Sequence, residues 1–570
     1  MNYKSYNNYE LNPKVTMESG FIKKGKNELE KIIQEETKKG SRLFVFDCYV
    51  NTEDEIKDFL KGYGKVIATS DYKLPDEELS KEFFPEITTD RVFGHMTKHS
   101  LEDCFKENSK EEIKKEVEKS IENSQEPIFV VGVNALNFIE GDIKFFLEIT
   151  RWEIQLRYRQ GESNWLYNNS NAPNLEKFKI GYFIEWRLVD DHKYSNINKY
   201  DYFIDTDTSE YKIVNNETYF NCLKTLCNRP FRMKPYFDKS VWGGQWMKNT
   251  YNLPREMENY GWSFDGVAEE NSVHFEIDGI VFGMQTMNLV KNFPVELLGK
   301  RVYEVFGAEF PIRFDLLDTF EGGNLSLQVH PLKSYIKEKF GMKYTQDESY
   351  YILDTNDEGF VYIGLKEDVN EDEMREDLEK ANKGEFLFNT EKYVNKIKVS
   401  KHDHVSIPSG TVHCSGKNTL VLEISATPYI FTFKLWDWGK LGLDGLPRPV
   451  HLDHGFENIQ FDRDTKWVNK NLISKHNEDL KVQKTGLHDL EFIETNRYNI
   501  NEKYLLALND SVAVLNLVEG ESAYLESKKN DFETVEIHFG ETFIVPANIK
   551  EVYLTPRGNC KFLVAQIKDR

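Results

Sequence analysis

Two textures of hydrophobic spacing divide this chain. Over roughly the first 220 residues, apolar positions three to four apart alternate with short continuous apolar runs. The first pattern predicts helices over residues 27–39, 53–62 and 109–124. The second predicts buried strands at 42–46, 65–68, 128–133, 144–149 and 202–205. Such alternation implies a parallel sheet with helices on both faces. From about residue 230 short alternating strands separated by turn residues take over, broken by one acidic helix at 370–383. That texture implies β-barrels or sandwiches. A polar, Lys/Asn-rich stretch at 462–479 precedes a last β-rich segment. Three modules are expected, at 1–225, 226–460 and 461–570.

The β part holds a weak repeat. Residues 405–413 align with 542–551 when Pro408 and Pro546 are superposed, and Asp403 and Glu541 each stand five positions before the proline. Two copies of one barrel are expected. Glu551 takes the place of His413, and no His-rich strand precedes it, so the second copy should lack metal ligands.

Chemistry concentrates between Gly322 and His413. In the run 325–330, Leu325, Leu327 and Val329 alternate with Ser326, Gln328 and His330. The period of two puts Gln328 and His330 on one face of a strand. Glu348 opens an otherwise apolar, aromatic strand, where a barrel interior excludes a charge unless a cation compensates it. His413 follows a tight turn at Pro408 and Gly410. One amide oxygen, one carboxylate and two imidazoles suit a single Zn²⁺ per chain. His402 and His404 flank Asp403 at a strand entrance and read as solvated.

In this order, Q-x-H-P, an inward Glu and P-x-G-x-x-H resemble the ligand pattern of a cupin, and more narrowly that of the type I mannose-6-phosphate isomerases. The likeness runs from Trp242-Gly243-Gly244 through Pro311 to Asp318, Leu422-Glu423-Ile424 and Leu435 to Trp438, ending at Pro447-Arg448-Pro449-Val450-His451. It implies that Gln328, His330, Glu348 and His413 bind zinc and that Arg448 is the catalytic arginine. The implied reaction moves a proton between C1 and C2 of a hexose phosphate through an enediol, mannose 6-phosphate to fructose 6-phosphate. Asp437 and Lys440 are candidates for the base by position. Gln346 and Asp315 depart from the family, which usually carries lysine at both places. A non-catalytic cupin that senses a sugar or nucleotide is the alternative.

Near the N-terminus, Gly20, Gly25 and Lys26 fit G-x-x-x-x-G-K, with Asn27 where a Mg²⁺-binding hydroxyl belongs. Together with a basic helix near 148–159 and a late strand at 201–207, this resembles a P-loop nucleoside or uridine kinase in degenerate form. The resemblance implies nucleotide binding with little turnover, or a bifunctional kinase-isomerase if the site is intact. Arg151, Arg157, Arg159 and Arg187 could serve a lid, or pair with Glu148, Glu153 and Glu185 on a solvated face.

Composition narrows the partners. The net charge of −22 opposes nucleic acid and anionic lipid. No apolar run approaches the roughly 18 residues of a membrane span. Six cysteines in 570 residues do not make a disulfide framework, and the first residues lack a secretory order. A cytoplasmic protein acting on a small molecule is expected.

Overall fold

The computed structural model describes residues 4–426, 429, 431–443, 445–486 and 488–569. Two compact units emerge: Lys14–Lys224 with Ser272–Asn288, and Met1–Pro13 with Thr225–Asn271 and Leu289–Arg570. The hairpin Ser272–Ile277 and Ile280–Gln285 thus belongs to the first unit, where it pairs with Val15–Thr16.

The first unit is built on a seven-stranded sheet. Leu43–Cys48 lies between Ile128–Gly132 and Ile143–Glu148, with Lys65–Ala68 and Tyr202–Asp205 outside them, all parallel. Leu43–Cys48 and Ile128–Gly132 are buried at every position, as a sheet covered on both faces requires. Lys212–Asn215 joins one edge antiparallel, and Ile22–Lys24 pairs antiparallel with it, so that Ile22–Lys24 runs in the sense of the parallel strands.

Residues 20–26 do not form a phosphate loop. Ile22–Lys24 is that edge strand, Gly25 alone turns the chain at φ +96°, and the helix Lys26–Lys38 begins at once. Lys26 pairs with Glu55 at 2.7 Å. In open parallel sheets the ligand loop follows a central strand, and here that loop is Tyr49 to Thr52. It leads into the helix Glu53–Leu60, whose first turn carries Glu53, Asp54 and Glu55. Burial pushes the Glu53 carboxyl up to about 7. Asp54 and Glu55 in that first turn make this helix N-terminus less receptive to an anion than such a position otherwise is.

The basic helix is Arg151–Arg159, and the solvated-face reading of its arginines is corrected by burial. Arg151 is buried and pairs with Asp190 at 2.6 Å. Glu148 is buried against Lys193 and Asn288, and Glu185 accepts from Tyr158 and Asn164. Arg157 pairs with Glu153 at 3.1 Å, as expected.

The second unit contains two antiparallel two-sheet barrels. In the first, a seven-stranded sheet runs Ile473–Ser474, His404–Ile407, Glu348–Thr355, Thr419–Ser425, Arg313–Asp318, Trp262–Gly266, Tyr236–Asp238. It faces a five-stranded sheet of Val394–Lys398, Phe360–Leu365, His413–Ser415, Leu327–Val329 and Phe433–Trp436. This is the architecture expected of a cupin. Within the polar stretch 462–479, Thr465–Asn471 is a helix and Ile473–Ser474 an edge strand of that first barrel. The W-G-G motif has a packing reason. A Cβ on Gly244 would stand 2.1 Å from Asp318 Oδ1, and one on Gly243 1.9 Å from Asn259 Oδ1.

The second barrel pairs a five-stranded with a four-stranded sheet around Leu506, Leu515, Leu525, Ile537, Leu554 and Phe562. All six cysteines are buried free thiols. Among the described residues, no helix is long and apolar enough to cross a membrane.

Candidate metal centre and active site

Three elements deliver the candidate ligands into the first barrel. Gln328 sits mid-strand in Leu327–Val329, directly opposite His413 on the neighbouring strand. His330 follows where Pro331 ends the pairing. The Pro408–Gly410 turn, with Gly410 at φ +86° and its N–H donating to the His330 carbonyl at 2.9 Å, sets His413 beside the first two. Glu348 comes from the opposite sheet, where it opens its strand facing Ile407 and Ser425.

His330, Glu348 and His413 form a buried cluster that could hold a metal ion. His330 Nε2 lies 3.0 Å from Glu348 Oε2, and His413 Nε2 lies 2.8 Å from Glu348 Oε1. The Gln328 amide is 3.2 Å from His413 Nε2. Both rings are oriented from behind, His330 Nδ1 by the Phe431 carbonyl and His413 Nδ1 by the Thr411 carbonyl, each at 2.8 Å. Holding Nδ1 this way leaves Nε2 as the ligating nitrogen. His330 Nε2 and Glu348 Oε1 are buried without an aligned hydrogen bond. Two orphaned polar atoms aimed at one point are what a cation would satisfy.

Burial opposes charge on all three groups, and their mutual attraction decides the outcome. Glu348 is driven well below the usual carboxylate range by His330 and His413, which outweigh its desolvation. His330 is raised because Glu348 overcomes burial, whereas burial prevails at His413 and lowers it. The centre therefore offers an ionised carboxylate and one neutral imidazole.

The two departures from the family pattern acquire structural roles. Gln346 donates to Glu348 Oε2 at 3.0 Å and accepts from the Phe431 N–H at 3.0 Å, so it braces the carboxylate. Asp315 is buried directly opposite Glu423. Burial lifts Asp315 to about 7 against the pull of Arg313, and lifts Glu423 well above the carboxylate range.

Arg448 and Asp437 are brought together, as a guanidinium–carboxylate pair at 2.8 Å. Arg448 also donates to Ser326 Oγ at 3.2 Å. Ser326 stands two residues before Gln328 in the alternating run, so the pair borders the ligand face. Lys440 packs over Gly323, and burial lowers its pKa.

Sequence reasoning missed Lys434, which lies directly opposite Gln328 on Phe433–Trp436. Burial, with Arg448 nearby, pushes its amine down to about 8. Glu423 was flagged only as part of a motif, although a lone charge in the run Thr419–Ser425 is the same signal that singled out Glu348. The expectation for His402 and His404 is corrected, since both are buried. His402 is bonded to Tyr351 at 2.9 Å and Glu519 at 2.7 Å. His404 sits against Tyr351, and burial depresses it to about 3.

Residues 25–228 match the family described as Domain of unknown function (DUF8485). Mannose-6-phosphate isomerase ManA of Bacillus subtilis (strain 168) is 24% identical over 323 residues, covering 55% of this chain and 96% of that protein. Mannose-6-phosphate isomerase of Streptococcus mutans serotype c (strain ATCC 700610 / UA159) is 26% identical over 234 residues, 40% of this chain and 67% of that protein. The crystal structure of the mannose 6-phosphate isomerase from Bacillus subtilis superposes with TM-score 0.47 at 21% identity, covering 59% of this chain and 99% of that one.

Proposed function

We propose that the second unit is a zinc-dependent aldose–ketose isomerase acting on a hexose phosphate, with mannose 6-phosphate and fructose 6-phosphate as the pair to test first. The carrying observation is the convergence of His330, Glu348 and His413 at one buried point, with both rings fixed from behind. The relatives that are mannose-6-phosphate isomerases by name cover 55% and 40% of this chain and lend the substrate class.

Gln328, His330, Glu348 and His413 are the proposed ligands, a nitrogen and oxygen set that suits Zn²⁺. When bound, the zinc would polarise the sugar carbonyl and the neighbouring hydroxyl as a Lewis acid. Arg448 faces the negative charge that develops on the two oxygens in the enediol, held in place by Asp437 and Ser326. Its permanent charge suits that task. For proton transfer, Lys440 and Asp437 remain the candidates reached from sequence. Lys434, titrating near 8 opposite Gln328, joins them.

Arg448 beside the ligand set supports the catalytic reading over a sensing one. Six buried free thiols support a reducing compartment, the cytoplasm. For the first unit, the one-residue turn at Gly25 and the acidic turn at Glu53 speak against phosphoryl transfer, and we assign it a docking or regulatory role. The deciding experiment is metal analysis of the purified chain combined with an interconversion assay on mannose 6-phosphate and fructose 6-phosphate. Stoichiometric zinc with turnover supports the isomerase. Stoichiometric zinc with no turnover on any aldose or ketose phosphate would leave the sensing cupin.

A further inference from the structure

The α/β unit has a concave site of its own. We propose that the cavity between residues 87–91 and the helix Asn174–Ile180 binds a small phosphate-bearing ligand, with the Lys179 ammonium at its anionic end. This goes beyond the isomerase reading and does not depend on it.

The cavity has a volume of about 230 Å³. Its walls come from two connections, the one leaving the carboxyl end of Lys65–Ala68 and the one leaving the carboxyl end of Ile143–Glu148. Open parallel sheets place their ligand crevices beyond those ends. Connections of this kind carry the ligand sites of open parallel sheets, and the lining selects the ligand.

Lys179 is 3% exposed, yet among the described residues it forms no ion pair. Its ammonium donates to the Asp90 backbone carbonyl. An ammonium has three donors and a full charge, so one carbonyl leaves most of its demand unmet. Burial lowers its pKa, with Asp90 and Glu176 acting in the opposite sense. An anion in the cavity supplies what is missing.

The remaining lining agrees with phosphate. Thr89 adds a hydroxyl and Arg91 a guanidinium to the lining, groups that phosphate oxygens engage, while the Thr88 hydroxyl donates to the Phe93 carbonyl at 2.8 Å. Two carboxylates, Asp90 and Glu176, also line the cavity and favour the charged form of Lys179, but neither pairs with it directly. Asp90 Oδ1 is occupied by the N–H groups of Val92 and Phe93, at 2.7 and 2.8 Å. Glu176 is exposed, where solvent and salt screen it. Ile87, Pro173 and Leu175 give the cavity an apolar side, which favours an ester over the free ion.

The test uses the full-length protein, with inorganic phosphate and phenyl phosphate titrated by phosphorus NMR. Lys179→Met should weaken binding roughly tenfold or more, the usual effect of losing a charged hydrogen-bond donor. Lys179→Arg should retain it, and isomerase turnover should be unchanged in both. His413→Ala should leave this binding intact, which separates it from any phosphate binding at the metal centre. Tighter binding of phenyl phosphate marks an ester site, and equal affinities mark a site for the free ion. Thr89→Val, an exposed substitution, should weaken binding roughly threefold, and it decides the matter if Lys179→Met disturbs the unit. Unaltered binding in Lys179→Met or in Thr89→Val, or no binding by the wild type, overturns the proposal.

Discussion

Replacing Arg448 by lysine isolates what the guanidinium does beyond carrying charge. Arg448 Nη1 reaches both Asp437 oxygens, at 2.8 and 3.0 Å, and Ser326 Oγ at 3.2 Å. Its side chain is 17% exposed and that of Asp437 6%, so little solvent screening weakens the pair. A lysine retains the positive charge but cannot span carboxylate and hydroxyl in one plane, so the charge loses its fixed position. If that charge stabilises an enediolate, it acts only once the oxygens become negative, and its displacement lowers turnover while substrate affinity changes little. Loss of one preorganised stabiliser typically lowers turnover by about 10²–10³, equivalent to about 2.7–4 kcal/mol. Steady-state kinetics of mannose 6-phosphate conversion, followed through coupled reduction of a nicotinamide, give kcat and KM separately. A raised KM with unchanged kcat would refute the reasoning and identify Arg448 as an anchor for the phosphate.

Three further outcomes are expected. His413→Ala should remove most of the bound metal together with the activity, measured by elemental analysis, whereas stoichiometric metal in a fully active variant would rule the centre out. Gln346→Ala takes away the brace on Glu348 Oε2, and the loss of such an outer partner should weaken metal affinity roughly 10–100-fold in chelator competition; unchanged affinity would mean that Gln346 is incidental. His404 is held neutral by burial, with its pKa depressed to about 3 in the folded chain. The unfolded state therefore binds a proton that the folded state refuses. Stability should fall as pH drops below about 6.5, by up to about 1.4 kcal/mol per unit from this group. In His404→Phe that slope should shrink, and urea melts at pH 7, 6 and 5 that fall in parallel with the wild type would contradict it.

Spacing alone gave the elements of the parallel sheet, because a strand buried on both faces is written as a continuous apolar run and an exposed helix as a three-to-four repeat. Lys65–Ala68 and Tyr202–Asp205 are found where the pattern put them, and Ser109–Asn123 ends one residue short of its expected limit. Glu348 was legible for a similar reason, as a charge where the pattern allows none. Local pattern failed where polar groups are buried through partners far away in sequence. Asp47 meets His192 and Tyr200 from 145 and 153 positions away, and Tyr49 meets Asp190 from 141. Each such residue looks like a solvated one until the sheet is assembled.

The same limit explains the phosphate loop expected at residues 20–26 in the first unit. A match to G-x-x-x-x-G-K concerns seven adjacent residues, whereas the function of that motif depends on which strand precedes it. Ile22–Lys24 occupies the outer edge of the sheet, beyond the antiparallel strand Lys212–Asn215 and away from the central strands that a ligand loop follows. The segment that does follow the central strand, Tyr49 to Thr52, has no glycine and runs into three acidic residues. Lys179 was invisible for the opposite reason. In a helix reading Asn-Leu-Glu-Lys-Phe-Lys-Ile it resembles any surface lysine. Only the packing of residues 87–91 against it turns a common charge into a buried one, and burial makes a charge selective, because its attraction for an anion rises as the solvent that would screen it is removed.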